Sequence, residues 1–265
     1  MRLQVRHQTA FHPAGVSGEM GGHFPEHFVG MLRLTPMVHE GLRIRFWSLC
    51  DGHGVELPAI QDGYGNTVHT ISADEAEASI EVVVEGEVDT TNVWGVVRGG
   101  AEVLPPLFYL RPTPLTQPDP AIAELAQAAV QGKSVLKWLH SLMGLVAEAR
   151  NGDGEGEGDA AALAHVFIIA ARTLEIPARF VSGYLWKDEE LFDDKALHSW
   201  AEVFVPDLGW VGFDPANQIC PTEAYIRTSI GLDAEAAAPF RRVEGRREPL
   251  AGALRVRQEI AAQQQ

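Results

Sequence analysis

Pro105-Pro106 and Arg111-Pro112-Thr113-Pro114 stand near the middle of this sequence and stop regular structure from running through it. Proline withholds the backbone donor that helices and ladders need, and it steers the residue before it away from helix. The chain of 265 residues therefore divides into two differently patterned parts, 1–110 and 111–265. With 46% hydrophobic residues, each part can enclose a core.

The first part reads as strand and turn. Arg2 to His7, Met31 to Thr35, Gly41 to Trp47, Thr67 to Ile71 and Ser79 to Val88 alternate or run β-branched. Asp62-Gly63-Tyr64-Gly65-Asn66 supplies residues that tolerate positive φ, and short strands at such spacing predict an antiparallel β-sandwich. Beyond the prolines the period changes. Asp119 to Val130 and Ser134 to Arg150 have helical spacing with Asp119 and Ser134 as N-caps, and Val135, Leu139, Leu142 and Val146 mark a buried stripe. An apolar helix from Asp159 to Leu174 follows, closed by Glu175-Ile176-Pro177. Ala178 to Trp186, Ser199 to Val205, Trp210 to Phe213 and Ala224 to Ser229 then predict an antiparallel sheet under that helix, giving an α+β chain. Ala251 to Ile260 adds a final strand whose charges suit an edge, and Ala261 to Gln265 are expected to fray.

A net charge of −15 repels phosphate backbones and anionic lipid, which argues against nucleic-acid and membrane partners. Cys50 and Cys220 fall in different parts, so no disulfide framework is expected. The start of the chain lacks a signal peptide's apolar core, and these features together predict a cytoplasmic protein. No Cys/His spacing suggests zinc, and no phosphate-cradling loop follows a strand into a helix; no cofactor is expected. Asn151 to Asp159 alternates glycine with oxygen-bearing side chains, but a calcium loop opening at Asn151 needs glutamate at its twelfth position, which is Ala162. That segment reads as a solvated linker.

Two runs carry chemistry: His198-Ser199-Trp200-Ala201-Glu202-Val203, and Gly209-Trp210-Val211-Gly212-Phe213-Asp214-Pro215-Ala216-Asn217. Together with Ala164-His165-Val166-Phe167 and Ile176-Pro177-Ala178-Arg179-Phe180-Val181-Ser182-Gly183-Tyr184, they resemble the transglutaminase-like superfamily, specifically its bacterial cysteine-protease-like members. The resemblance implies a papain-like core whose helix opens with Gly-x-Cys-x-Asp-x-Ala-His. Aligned on Ala164-His165, that pattern sets Gly158 at the glycine, Ala160 at the cysteine and Ala162 at the aspartate. It further implies His198 as the proton shuttle and Asp214 as the carboxylate that orients it.

A methyl group cannot attack a carbonyl, and 151–165 contains no serine, threonine or cysteine to take its place. Loss of a triad nucleophile costs on the order of 10⁶ in turnover. The reading is a pseudoenzyme that binds a peptide, a γ-glutamyl-type ligand or a protein, with Trp200 and Asp159 as candidate binding residues. His198 and Asp214 have a second reading as a mutually satisfied structural pair. Two other functions stay open: an amide hydrolase or acyltransferase using Cys220 or an activated water, and a structural or regulatory subunit whose partner is a second copy or an active paralogue.

Overall fold

The computed structural model describes residues 1–11, 27–74, 80–151, 160–186, 197–242 and 255–263. In the first part, β1 (Arg2–Phe11), β2 (His27–Leu32), β3 (Leu42–Asp51), β4 (Ala59–Gln61), β5 (Thr67–Asp74) and β6 (Ile80–Thr90) form antiparallel ladders in two sheets. Period two is clearest on β6, where Ile80, Val82, Val84 and Val88 are buried. They share one apolar cluster with Leu3, Val5 and Leu49 of their own sheet and Leu32 and Ile71 of the other. Opposite-charge pairs lace the outer face, with Arg2 and Arg45 both reaching Asp89. Gly86 is glycine for a steric reason: a Cβ there would lie 2.1 Å from the Trp47 ring.

The short β7 (Val96–Val97) precedes the proline stretch, where Pro106–Leu110 makes one 3-10 turn. Helix α1 (Pro120–Ala129) is capped by Asp119, which accepts from the Ile122 amide at 3.0 Å, and Ser134 caps α2 (Val135–Asn151) through the Lys137 amide. Helix α3 (Ala160–Thr173) ends in a Schellman turn: Glu175 adopts φ 58°, its amide bonds Arg172 O, and the Ile176 amide bonds Ala171 O. Strand β8 (Ala178–Leu185) starts at once. With β9 (Leu197–Val205), β10 (Gly209–Phe213) and β11 (Tyr225–Gly231), it builds a sheet in the order β11-β8-β9-β10-β7. Leu139, Leu142 and Val146 of α2, Leu163 and Phe167 of α3, and Ala201, Val203 and Phe213 of the sheet close one core.

The two parts interleave. β12 (Phe240–Arg242) pairs with β2, β13 (Arg255–Gln263) pairs with β1 as an edge strand, and β7 pairs with β10. The last strand thus runs past Ala261, so Ala261 to Gln263 are held in register with Arg2 to Gln4 where fraying was expected. Asn66 fastens the junction from the turn that begins at Asp62. Fully buried, it accepts from the Ile230 amide at 2.8 Å and donates to the Ile230 carbonyl at 2.9 Å. Among the described residues no helix is long and apolar enough to cross a membrane.

Candidate functional site

Asp214 directly follows β10, and its immediate chain neighbours fix it. Its Oδ1 accepts from the backbone amides of Ala216 and Asn217 at 3.0 and 3.2 Å, closing an Asx turn. Its Oδ2 accepts from Tyr225 Oη at 2.7 Å and Asn217 Nδ2 at 2.7 Å, and meets His198 Nε2 at 2.6 Å. The carboxylate is fully buried. Burial alone would raise its pKa, but His198, Asn217 and Tyr225 together hold it below the usual carboxylate range. Tyr225 keeps its proton, because burial and the Asp214 charge push its pKa well up.

This network dictates the state of the imidazole. An ionised Asp214 only accepts, so the proton in the 2.6 Å contact sits on His198 Nε2. Asn217 Nδ2, 3.2 Å from the same nitrogen, is then a neighbour of His198 and a donor to Asp214. Among the described residues Nδ1 carries no hydrogen bond, which leaves it as the nitrogen that can exchange a proton. His198 is the second residue of β9, where Trp200 lies against it with ring centroids 6.3 Å apart at an interplanar angle of 22°, and Tyr225 meets it edge-on at 6.0 Å. The result is a histidine held in one tautomer by a carboxylate that is saturated with donors. Such a pair can shuttle protons for a nucleophile.

Chain direction relates this pair to α3. Near its end α3 meets the start of β8, where Arg172 donates to the Ala178 carbonyl and Ala178 pairs with Val203, while earlier in the helix Phe167 stacks on Phe213, the partner of Ala201; α3 and β9 therefore run the same way. Their first residues, Ala160 on the helix and His198 next to the start of the strand, therefore lie at one end of the layer. Ala160 is half-buried and Ala162 is exposed. His198, Trp200 and Glu202 alternate along β9 with Ala201, Val203 and Val205, which belong to the core shared with α3.

The remaining candidates separate clearly. Trp200 is 2% exposed and sits in a buried cluster with Val181 and Tyr225, so its ring supports His198 from within. Asp159 and most of the glycine-acid linker lie outside the described residues. Cys220 is half-buried against the main core, and burial pushes its thiol pKa up, the opposite of activation. Cys50 lies on β3 in the other part. His165 accepts from the Ala234 amide at 3.0 Å and packs on Phe180. Sequence reasoning missed Tyr225 and the hydrogen-bonding role of Asn217. The Asp-Pro-Ala-Asn spacing could have revealed the second, but Tyr225 reaches Asp214 only because β11 crosses beside β8.

Comparison with known proteins agrees with this architecture. Residues 146–215 match the family model described as the transglutaminase-like superfamily, and residues 26–89 match that of the bacterial transglutaminase-like N-terminal region. An uncharacterised protein of Mycobacterium leprae is 34% identical over 82 residues, a stretch covering 29% of this chain and 29% of that protein. A solved structure from Cytophaga hutchinsonii, described as a "Putative Cysteine Protease", superposes with a TM-score of 0.69 at 16% identity, covering 98% of this chain and 90% of the other. The fold is transglutaminase-like and cysteine-protease-like, with mixed helices and antiparallel sheets.

Proposed function

We propose that this chain is a transglutaminase-like scaffold that has lost covalent catalysis and uses the retained His198–Asp214 end of its core to bind a peptide or protein. One feature carries the reading: Asp214 orients His198 near the start of β9, which runs in the same direction as α3, and the residue opening α3 is Ala160. In a working site a thiolate at the helix N-terminus would attack, His198 would shuttle its proton, and Asp214 would hold the tautomer. Here the last two groups remain and the first is a methyl. The raised thiol pKa of half-buried Cys220 speaks against its recruitment as a substitute. The shared core of the first two sheets supports a sandwich-like N-terminal unit, and the chain's acidity favours neutral or cationic partners.

The reading is tested with a panel of amidated peptides in thermal melts, alongside mass detection of acyl-protein adducts from peptide thioesters. Wild-type protein should form no adduct, and a stabilising peptide should lose its effect in His198→Ala but keep it in the surface control Asp207→Asn. An acyl adduct that disappears in Cys220→Ala would overturn the loss of catalysis. Equal responses of His198→Ala and the control would overturn binding at this end of the core.

A further inference from the structure

Behind the His198–Asp214 pair, at the junction of the two parts, lies a pocket built around an incompletely used guanidinium. Trp200, Glu202, Tyr225 and Arg227 line it from the second part, and His39 and Thr91 from the first. Arg227 is 3% exposed. Its Nη1 donates to both oxygens of Glu202, at 3.2 and 3.1 Å. Its Nε is buried with no partner, and no hydrogen bond engages its Nη2 among the described residues. Nε and Nη2 share one edge of the planar group, so the fork that matches two parallel acceptors is the edge left idle. A buried donor left in that state keeps its desolvation penalty uncompensated, and the penalty is larger when the group is charged.

The neighbouring carboxylates cannot relieve it. Glu202 Oε2 already accepts from Arg179 Nε at 2.7 Å, and Glu102 takes Arg179 Nη1 and Nη2 at 2.6 and 3.1 Å. The Arg179 plane is also held 3.9 Å over the Trp210 ring, so this half of the network cannot turn toward Arg227. Across the pocket, His39 Nδ1 accepts from the Gly41 amide at 3.1 Å, which puts the imidazole proton on Nε2. Burial first, and then the nearby Arg227 charge, lower the His39 pKa to about 4, with Glu202 opposing. At neutral pH this side chain is an uncharged donor with no hydrogen bond to Nε2 among the described residues.

We propose that this pocket binds a small monocarboxylate, its two oxygens taken by Nε and Nη2 of Arg227 and one of them also by Nε2 of His39. Size and charge both select that class. The cavity volume is ≈ 30 Å³, room for about two water-sized groups and thus for a carboxylate head. Arg179 and Arg227 balance Glu102 and Glu202, so a monoanion adds one net charge to the cluster where a phosphate dianion beside Glu202 would add two, the costlier case. A free short-chain acid and the end of a peptide both carry such a carboxylate, and the chemistry is common to both. Tyr225 lines the pocket and donates to Asp214, so occupancy reports directly to the dyad. The inference holds whether or not that dyad is catalytic.

The test uses the full chain at neutral pH, with sodium chloride exchanged for sodium acetate at constant ionic strength, and with acetylglycine compared with its amide. The expected result is a saturating rise in Tm with acetate, or with acetylglycine but not its amide, accompanied by saturating shifts of the His39 ring resonances. Acetate binding assigns a free acid as ligand, and acetylglycine binding alone assigns a chain terminus. Arg227→Lys, which keeps the charge and loses the fork, should abolish the response. If that variant does not fold, His39→Ala should weaken it severalfold. A Tm that follows acetate no more than chloride overturns the proposal, as does a rise that leaves the His39 resonances of the wild type unmoved.

Discussion

Asp214 accepts every hydrogen bond its two oxygens can readily take, and this limits what the residue can do. Five donors converge on it, two from the backbone of its own turn and three from His198, Asn217 and Tyr225. Burial opposes ionisation, yet these partners keep its pKa below the ordinary range. The stability this confers is fully present above the ordinary carboxylate range and is lost as pH falls through the depressed native value. Tyr225→Phe removes one charge-assisted donor without changing the ring. We expect it to cost about 1.5–3 kcal/mol in denaturant unfolding and to move the Asp214 carboxyl titration upward in NMR. An unmoved titration would show that the Tyr225 hydroxyl does not hold the charge.

At the scale of elements, α3 is where sequence and structure meet most closely. Glu175 sits exposed at φ 58°, the C′ position of the Schellman turn, where a side chain is strained and glycine is not. Glu175→Gly should therefore stabilise the protein by about 1 kcal/mol in chemical denaturation, even though glycine usually weakens a chain; destabilisation would contradict the assignment of that turn. The helix and its stop were legible because Glu175-Ile176-Pro177 ends an apolar run abruptly. Asp119 and Ser134 were legible as caps for an equally local reason. Val96–Val97 was not, since two residues carry no period and pair with β10 only through tertiary contact. Likewise His198 and Asp214 could be picked out from their motifs, while Tyr225 looked like any strand tyrosine until β11 brought it alongside.

Across the whole molecule, the junction between the two parts stores polar groups that a single sandwich or a single core would not contain. His7 on β1 is 2% exposed and bonds Tyr184 of β8 at 3.0 Å, so the first sheet and the core sheet meet through an imidazole. Burial lowers its pKa from 6.5 to about 4. Between those values the unfolded chain binds the extra proton. This contribution to stability is thus complete above the unfolded value and drains away as pH falls toward the native one, by about 3 kcal/mol in all. His7→Phe should flatten the acid limb of stability against pH measured by urea unfolding, and an unchanged slope would remove His7 as its source. The interleaving of β7, β12 and β13 could not be read from composition, because strand partners are chosen by geometry far along the chain.

We propose that a transglutaminase-like cleft survives here without its attacking group, and the double variant Ala160→Cys with Ala162→Asp is its sharpest test. Iodoacetamide labelling followed by peptide mass mapping compares the introduced thiol with Cys220 in the same molecule. If the site is intact, the introduced thiol should be carboxymethylated at mildly acidic pH on the order of tenfold or more faster than Cys220, and His198→Ala should erase the difference. A thiol at position 160 that reacts no faster than Cys220, or equally fast without His198, would show that the cleft does not survive.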